Sequence, residues 1–144
     1  MSDLTAIDIL VNPDDATIEK AGAVNARLRQ SVPSGYALDA THQPHITTLQ
    51  RYVHTADRVF ETVERTIAGV DINQTTLKWV EQYVPDQIGS SYIPHISLGF
   101  ATVDDLKVIE AEPFTAFAVH PASVAVYHLG NNGNARTELK SWKV

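Results

Sequence analysis

Two tetrapeptides carry the chemistry open to this chain: Pro44-His45-Ile46-Thr47 and, fifty residues on, Pro94-His95-Ile96-Ser97. At the chain's own composition a Pro-His-Ile-Ser/Thr string is expected only ~0.003 times by chance, so the recurrence reads as an internal repeat. In a strand, side chains alternate between faces. His45 and Thr47 therefore point one way, as do His95 and Ser97, while Ile46 and Ile96 turn to packing. Each copy presents an imidazole beside a hydroxyl. The proline before each histidine suits a first strand position, where a missing N–H leaves no gap in the ladder.

Two such pairs facing one another across a cleft meet the needs of metal-free phosphodiester cleavage. In-line displacement requires a proton to leave the attacking water or hydroxyl and another to reach the leaving oxygen on the opposite side of phosphorus. An imidazole pKa of ~6.5 lets one ring start neutral and the other cationic near neutral pH. The Thr47 and Ser97 hydroxyls would donate to non-bridging phosphate oxygens. A pseudo-symmetric pair does not say which histidine is acid and which is base.

Plainer readings compete. Both histidines could be structural, but the duplicated hydroxyl argues against that. His42, His45 and His95 could converge on a metal with an Asp, yet there is no His-Glu-x-x-His segment and no Cys, so neither metal nor cofactor is expected. Arg51 shares strand parity with His45 and Thr47, which predicts a contact with an anionic substrate; a bulge would turn it to solvent. His42 reads as a loop residue, and His54, His120 and His128 as surface or strand-end residues. Tyr92, Tyr127 and Trp142 could stack on a base, although packing explains aromatic residues in strands equally well. Gly130-Asn131-Asn132-Gly133 reads as a hairpin turn.

The elements that must position these residues follow from hydrophobic periodicity. Ala6 to Val11 is a β-branched, apolar first strand stopped by Asn12-Pro13-Asp14. Ile18, Ala21, Val24 and Leu28 recur at helical spacing from Ala16 to about Gln30. Ile46 to Val53 reads as a strand, and a second helix is expected from Thr55 to Gly69. From Asp71 to Pro85, Leu77, Val80 and Val84 suit a helix, while Trp79 and Tyr83 broaden its apolar face and leave a strand as the alternative. Tyr92 to Ala101 reads as a strand with Ile96, Leu98 and Phe100 on one face, followed by a helix start at Thr102-Val103-Asp104-Asp105. Strands are expected at Phe114 to Val119, at Val124 to Leu129 and in a last segment ending near Trp142. The order implies an α+β sheet protein, one domain over residues 1–144 with an internal repeat of about 1–70 and 71–144.

Composition narrows the function. A length of 144 residues allows one folding unit, and 44% hydrophobic against 19% charged residues is an ordinary globular balance. The absence of Cys removes disulfides and thiol catalysis. A net charge of −6 disfavours coating a long phosphate backbone, so a nucleic-acid substrate should be small. No apolar run approaches the ~18 residues of a membrane span, and no signal peptide is evident, so no membrane partner and a cytoplasmic location are expected.

The paired His-x-Thr/Ser motifs, His45-Ile46-Thr47 and His95-Ile96-Ser97, resemble the two signatures of the 2H phosphoesterase superfamily, and the chain is most similar to its bacterial 2′-5′ RNA ligase-like, or RNA 2′,3′-cyclic phosphodiesterase, branch. The likeness extends to the early strand and helix, the helix after the first motif and the Gly turn before the last strand. It implies two pseudo-symmetric α/β lobes with antiparallel sheets flanking a central cleft. It also implies metal-independent catalysis by His45 and His95, with phosphate held by Thr47 and Ser97. Superfamily substrates include 2′,3′-cyclic phosphate ends of RNA, cyclic phosphates of ADP-ribose, 2′-5′-linked oligonucleotides and cyclic oligonucleotide signals. The expected partner is thus a small nucleotide or RNA end, and the expected state a monomer. One departure is the short connection between the motifs, where Ala68-Gly69-Val70 runs into Asp71-Ile72-Asn73. The alternative reading is a nucleotide-binding sensor that uses the same cleft without turnover.

Overall fold

β1 (Leu4–Pro13) forms where β-branched and apolar residues predict it, and it stands inside a four-stranded antiparallel sheet with β2 (Ile46–His54) on one side and β3 (Pro121–Leu129) on the other. β4 (Ala135–Lys143) completes the order β2-β1-β3-β4. The structure is a computed structural model that describes residues 4–54 and 73–144. Over these residues it is α+β, with that one sheet and helices α1 (Asp15–Ser31), α2 (Gln74–Gln87) and α3 (Val103–Glu110). The helix expected from Thr55 to Gly69 lies outside the described residues. Among the described residues, no helix is long and apolar enough to cross a membrane.

The helices start where capping chemistry says they should. Asp14, Asn73 and Thr102 each accept a hydrogen bond from the backbone N–H three residues on, satisfying a donor the helix leaves unpaired. The buried stripe of α1 is Thr17, Ala21, Asn25 and Leu28, offset from the Ile18-Ala21-Val24-Leu28 stripe that hydrophobicity alone predicts. A polar residue, Asn25, takes the inner place because its carboxamide has backbone work to do. Its Nδ2 donates to the carbonyls of Tyr36 at 3.0 Å and Leu98 at 2.8 Å, and its Oδ1 accepts from the Leu38 N–H at 3.0 Å.

That bridge accounts for a difference from the sequence expectation. Tyr92 to Ala101 and Phe114 to Val119 are not strands, and among the described residues no strand pairs with either. Alternation of apolar residues is necessary for a strand but supplies no backbone partner. Here the Leu98 carbonyl is taken by a side chain, and Gly99 adopts φ +142°, which interrupts an extended ladder. A Cβ at Gly99 would come within 3.2 Å of Leu28 Cδ1 and 3.1 Å of Asn25 Nδ2, so the segment can lie this close to α1 only with glycine there. The second segment is held by Lys20, whose Nζ sits 3.7 Å from the centre of the Phe117 ring, and a bidentate pair between Arg27 and Glu112 fixes the chain two residues before it.

Asn25→Ala removes three hydrogen bonds and strands part-buried backbone groups, so it should lower stability by about 2 kcal/mol. A urea titration checks this. A loss under about 0.5 kcal/mol would mean that the bridge is incidental.

Candidate active site

Both motifs enter one cleft of about 1050 Å³, with His45, Thr47, His95 and Ser97 among its lining residues. Its volume matches the upper end of small-ligand sites, roughly 300–1,000 Å³. One wall is α2, through Trp79 and Tyr83; the other carries Tyr36, His42 and Phe100. Tyr36 meets Phe100 edge-on at 5.1 Å and stacks on His42 at 5.8 Å. The two motif segments are linked directly, because the Tyr92 hydroxyl donates to the Thr47 carbonyl at 3.0 Å.

The two histidines are held in the same way. His45 Nδ1 lies 2.8 Å from the Gln43 carbonyl, and His95 Nδ1 lies 2.9 Å from the Ile93 carbonyl, each two residues back across the proline. A carbonyl only accepts, so Nδ1 must carry the hydrogen in both rings. Nε2 is then the nitrogen left to exchange protons. Environment separates the pair: His45 is half-buried and His95 exposed. Burial pushes the His45 pKa down, opposed by the Gln43 carbonyl and aided by the charge of His95.

The floor beneath His45 contains a residue that the motifs do not announce. Asp8, in the middle of β1, is fully buried. Its Oδ2 accepts from Thr47 Oγ1 at 3.0 Å and Gln50 Nε2 at 3.2 Å, and lies 3.8 Å from His45 Nε2. Its Oδ1 is buried with no hydrogen-bond partner among the described residues. Burial lifts the carboxyl from its ordinary 3.8 to about 7, against the lowering effect of Gln50 and Thr47. An acid inside the apolar run Ala6-Ile7-Asp8-Ile9-Leu10 was the available signal, since a buried carboxylate is rarely placed there for packing.

A β-bulge decides which residues reach this floor. Ile9 pairs with Leu49 but Leu10 with Thr47, so Thr48 is the extra residue, and its hydroxyl donates to the Ile9 carbonyl at 2.7 Å. Thr47 opposite Leu10 and Gln50 opposite Asp8 consequently share a face, although they are three apart. The same shift corrects the parity argument for Arg51. It pairs with Ile7 on the other face, is exposed, lies outside the cleft lining, and turns its Nε toward the Tyr52 carbonyl at 3.4 Å. Gln50 takes the cleft position that regular alternation predicts for Arg51.

The other polar candidates carry structural bonds, and Asn131 and Asn132 among them also line the cleft. His128 is one residue from the end of β3, so the strand-end alternative holds, and it is buried there, with Thr5 Oγ1 3.2 Å from its Nε2. The Gly130-Asn131-Asn132-Gly133 connection docks on the start of α2: Asn131 Oδ1 accepts from the Asn73 N–H at 2.7 Å, and the Asn132 N–H donates to Thr76 Oγ1 at 2.8 Å. Among the described residues, no cluster of three His, Asp or Glu side chains is arranged to hold a metal ion. No Lys or Arg is among the described residues lining the cleft.

No family model, curated protein or solved structure matches the chain.

Proposed function

We propose that the chain is a metal-independent phosphodiesterase of the 2H type, hydrolysing a small cyclic-phosphate or 2′-5′-linked nucleotide or RNA end. The observation that carries this reading is the matched pair of histidines in one cleft, each with Nδ1 tied to a carbonyl two residues back and each followed by a hydroxyl lining the same cleft. Duplicated tautomer control on two converging rings serves paired proton transfer and little else. In this reading the four-stranded sheet draws two strands from each half of the chain, and the segment carrying His95 comes from the second half.

Burial, which keeps the His45 ring neutral, makes it the base. Its Nε2 takes a proton from water as the water oxygen attacks phosphorus. The bond from phosphorus to the leaving oxygen breaks on the opposite side, and His95 Nε2–H supplies the proton that oxygen needs. Ser97 donates to a non-bridging oxygen, and Trp79 and Phe100 offer faces on which a base can stack.

The test is a panel of 2′,3′-cyclic mononucleotides, a 2′-5′-linked dinucleotide and a cyclic oligonucleotide, incubated in EDTA, with the His45→Ala/His95→Ala protein as blank. Cleavage of at least one member by the native chain alone, unaffected by EDTA, is the expected result. Loss of activity in EDTA sinks the metal-independent mechanism. Binding of a member without cleavage identifies a nucleotide sensor instead.

A further inference from the structure

We propose that Asp8 is a positioning residue that sets the direction of the Thr47 hydroxyl, and so decides whether the cleft floor offers or withholds a hydrogen bond to a tetrahedral anion such as a phosphodiester. The inference deepens the phosphodiesterase reading and rests on it.

An ionised carboxylate only accepts hydrogen bonds. With Asp8 ionised, the 3.0 Å contact from Thr47 and the 3.2 Å contact from Gln50 both point down at Oδ2. Thr47 then turns only lone pairs toward the cleft, which repel an anion. The neutral acid has one O–H, and across the same 3.0 Å it donates to Thr47 Oγ1. The Thr47 hydrogen is released to the cleft, where a phosphate oxygen can accept it. One proton on Asp8 thus reverses one hydrogen bond and with it the polarity of the floor.

Two features favour the neutral form. Oδ1 has no partner among the described residues, whereas a buried carboxylate ordinarily collects several donors. With no Lys or Arg among the described lining residues, nothing basic but the histidines offsets a negative charge under the floor. Burial keeps the acid protonated up to about pH 7, so the reversal falls within the working range of the histidines.

The titratable groups around Asp8, among the described residues, come from three neighbouring elements. His45, at the start of β2 and 3.8 Å away, favours the ionised acid whenever its ring is charged. Tyr83 of α2 feels the Asp8 charge and is itself pushed up to about 12, chiefly by burial, so it stays neutral. Tyr127 of β3 stands opposite Asp8 with its pKa raised by burial, and its hydroxyl donates to Glu138 of β4 at 3.1 Å.

Sulfate is the probe, because it remains a dianion from about pH 5.5 to about pH 8.5. Its affinity is measured by NMR titration at constant ionic strength for the native chain, Asp8→Asn, Thr47→Val and the double variant. The amide of Asp8→Asn carries no charge at any pH and can donate to Thr47 Oγ1 once the Gln50 carboxamide turns its oxygen, in place of Nε2, toward it. At about pH 8.5 it should bind sulfate at least ~10-fold more tightly than the native chain, the scale of a charge-assisted hydrogen bond. On the Thr47→Val background most of that gain should vanish. Full additivity of the two substitutions would overturn the proposal, since Asp8 would then act through its charge alone. If Asp8→Asn does not fold, Thr47→Val decides alone: the ratio of affinities at the two pH values should shrink, and an unchanged ratio overturns the proposal. Absence of saturable sulfate binding by the native chain at low pH sinks the phosphodiesterase reading itself, and the proposal with it.

Discussion

His45→Ala and His95→Ala each lower turnover of the cleaved panel member at least ~100-fold, the usual scale for removing a general acid or base. The two losses arise differently. His45→Ala deletes a half-buried ring standing over Asp8 and leaves water without a base. His95→Ala deletes an exposed ring whose described side-chain bond is local, so the fold should keep its melting temperature while the leaving oxygen loses its proton source. Because the two transfers serve one displacement, the double variant should be far less impaired than the product of the single losses. Steady-state rates with matched melting curves check this. A rate near that of the native chain in either single variant removes the two-histidine mechanism.

Asp8→Asn should stabilise the protein strongly above neutral pH and hardly at all in mild acid. The Asp8 carboxyl is raised from 3.8 in the unfolded chain to about 7 in the folded one. Between those values the folded state holds a proton that the unfolded state has lost, so stability falls as pH rises through that window. Above about pH 7 the penalty is complete, and holding the carboxyl at about 7 instead of 3.8 then costs the fold about 4 kcal/mol. An asparagine carries no charge to bury and should recover most of this at about pH 8.5, with the difference fading toward about pH 4. Urea titrations of both proteins at several pH values measure it. A stability difference that does not change with pH would show that burial costs the native acid nothing. Together with the expected sulfate result, this effect would make Asp8 a residue whose removal strengthens the fold while abolishing a pH response of the site.

Local chemistry was legible in the sequence wherever one segment carried its own instructions. The runs giving β1, α1, β2 and β3, and the helix start at Thr102, follow from periodicity and capping alone. The convergence of His45 and His95 on one cleft follows from the repeat. What escaped depends on pairing between distant segments. Alternation placed Arg51 beside Thr47 because nothing in Thr47-Thr48-Leu49 marks a bulge; only the partner strand, where Ile9 and Leu10 face Leu49 and Thr47, reveals the extra residue. Tyr92 to Ala101 had a strand's alternation without a strand's partner, and the side chain that took its carbonyl sits on a helix 73 residues away. Asp8 was visible as an acid in an apolar strand, but its link to Thr47 and Gln50 required the register of β2 against β1.

The carbonyl bonds at Gln43 and Ile93 separate two kinds of information in the protein. Which nitrogen of each ring stays free is written into three consecutive residues and would persist in a short peptide held in that conformation. The rest of the chain contributes spacing: the Asn25 bridge and the Tyr92 hydroxyl set how far apart two already finished parts stand. A lesion remote from the motifs can therefore alter the gap between the rings without altering their tautomers. The chemistry of each half is inherited locally, and only the distance between the halves has to be folded.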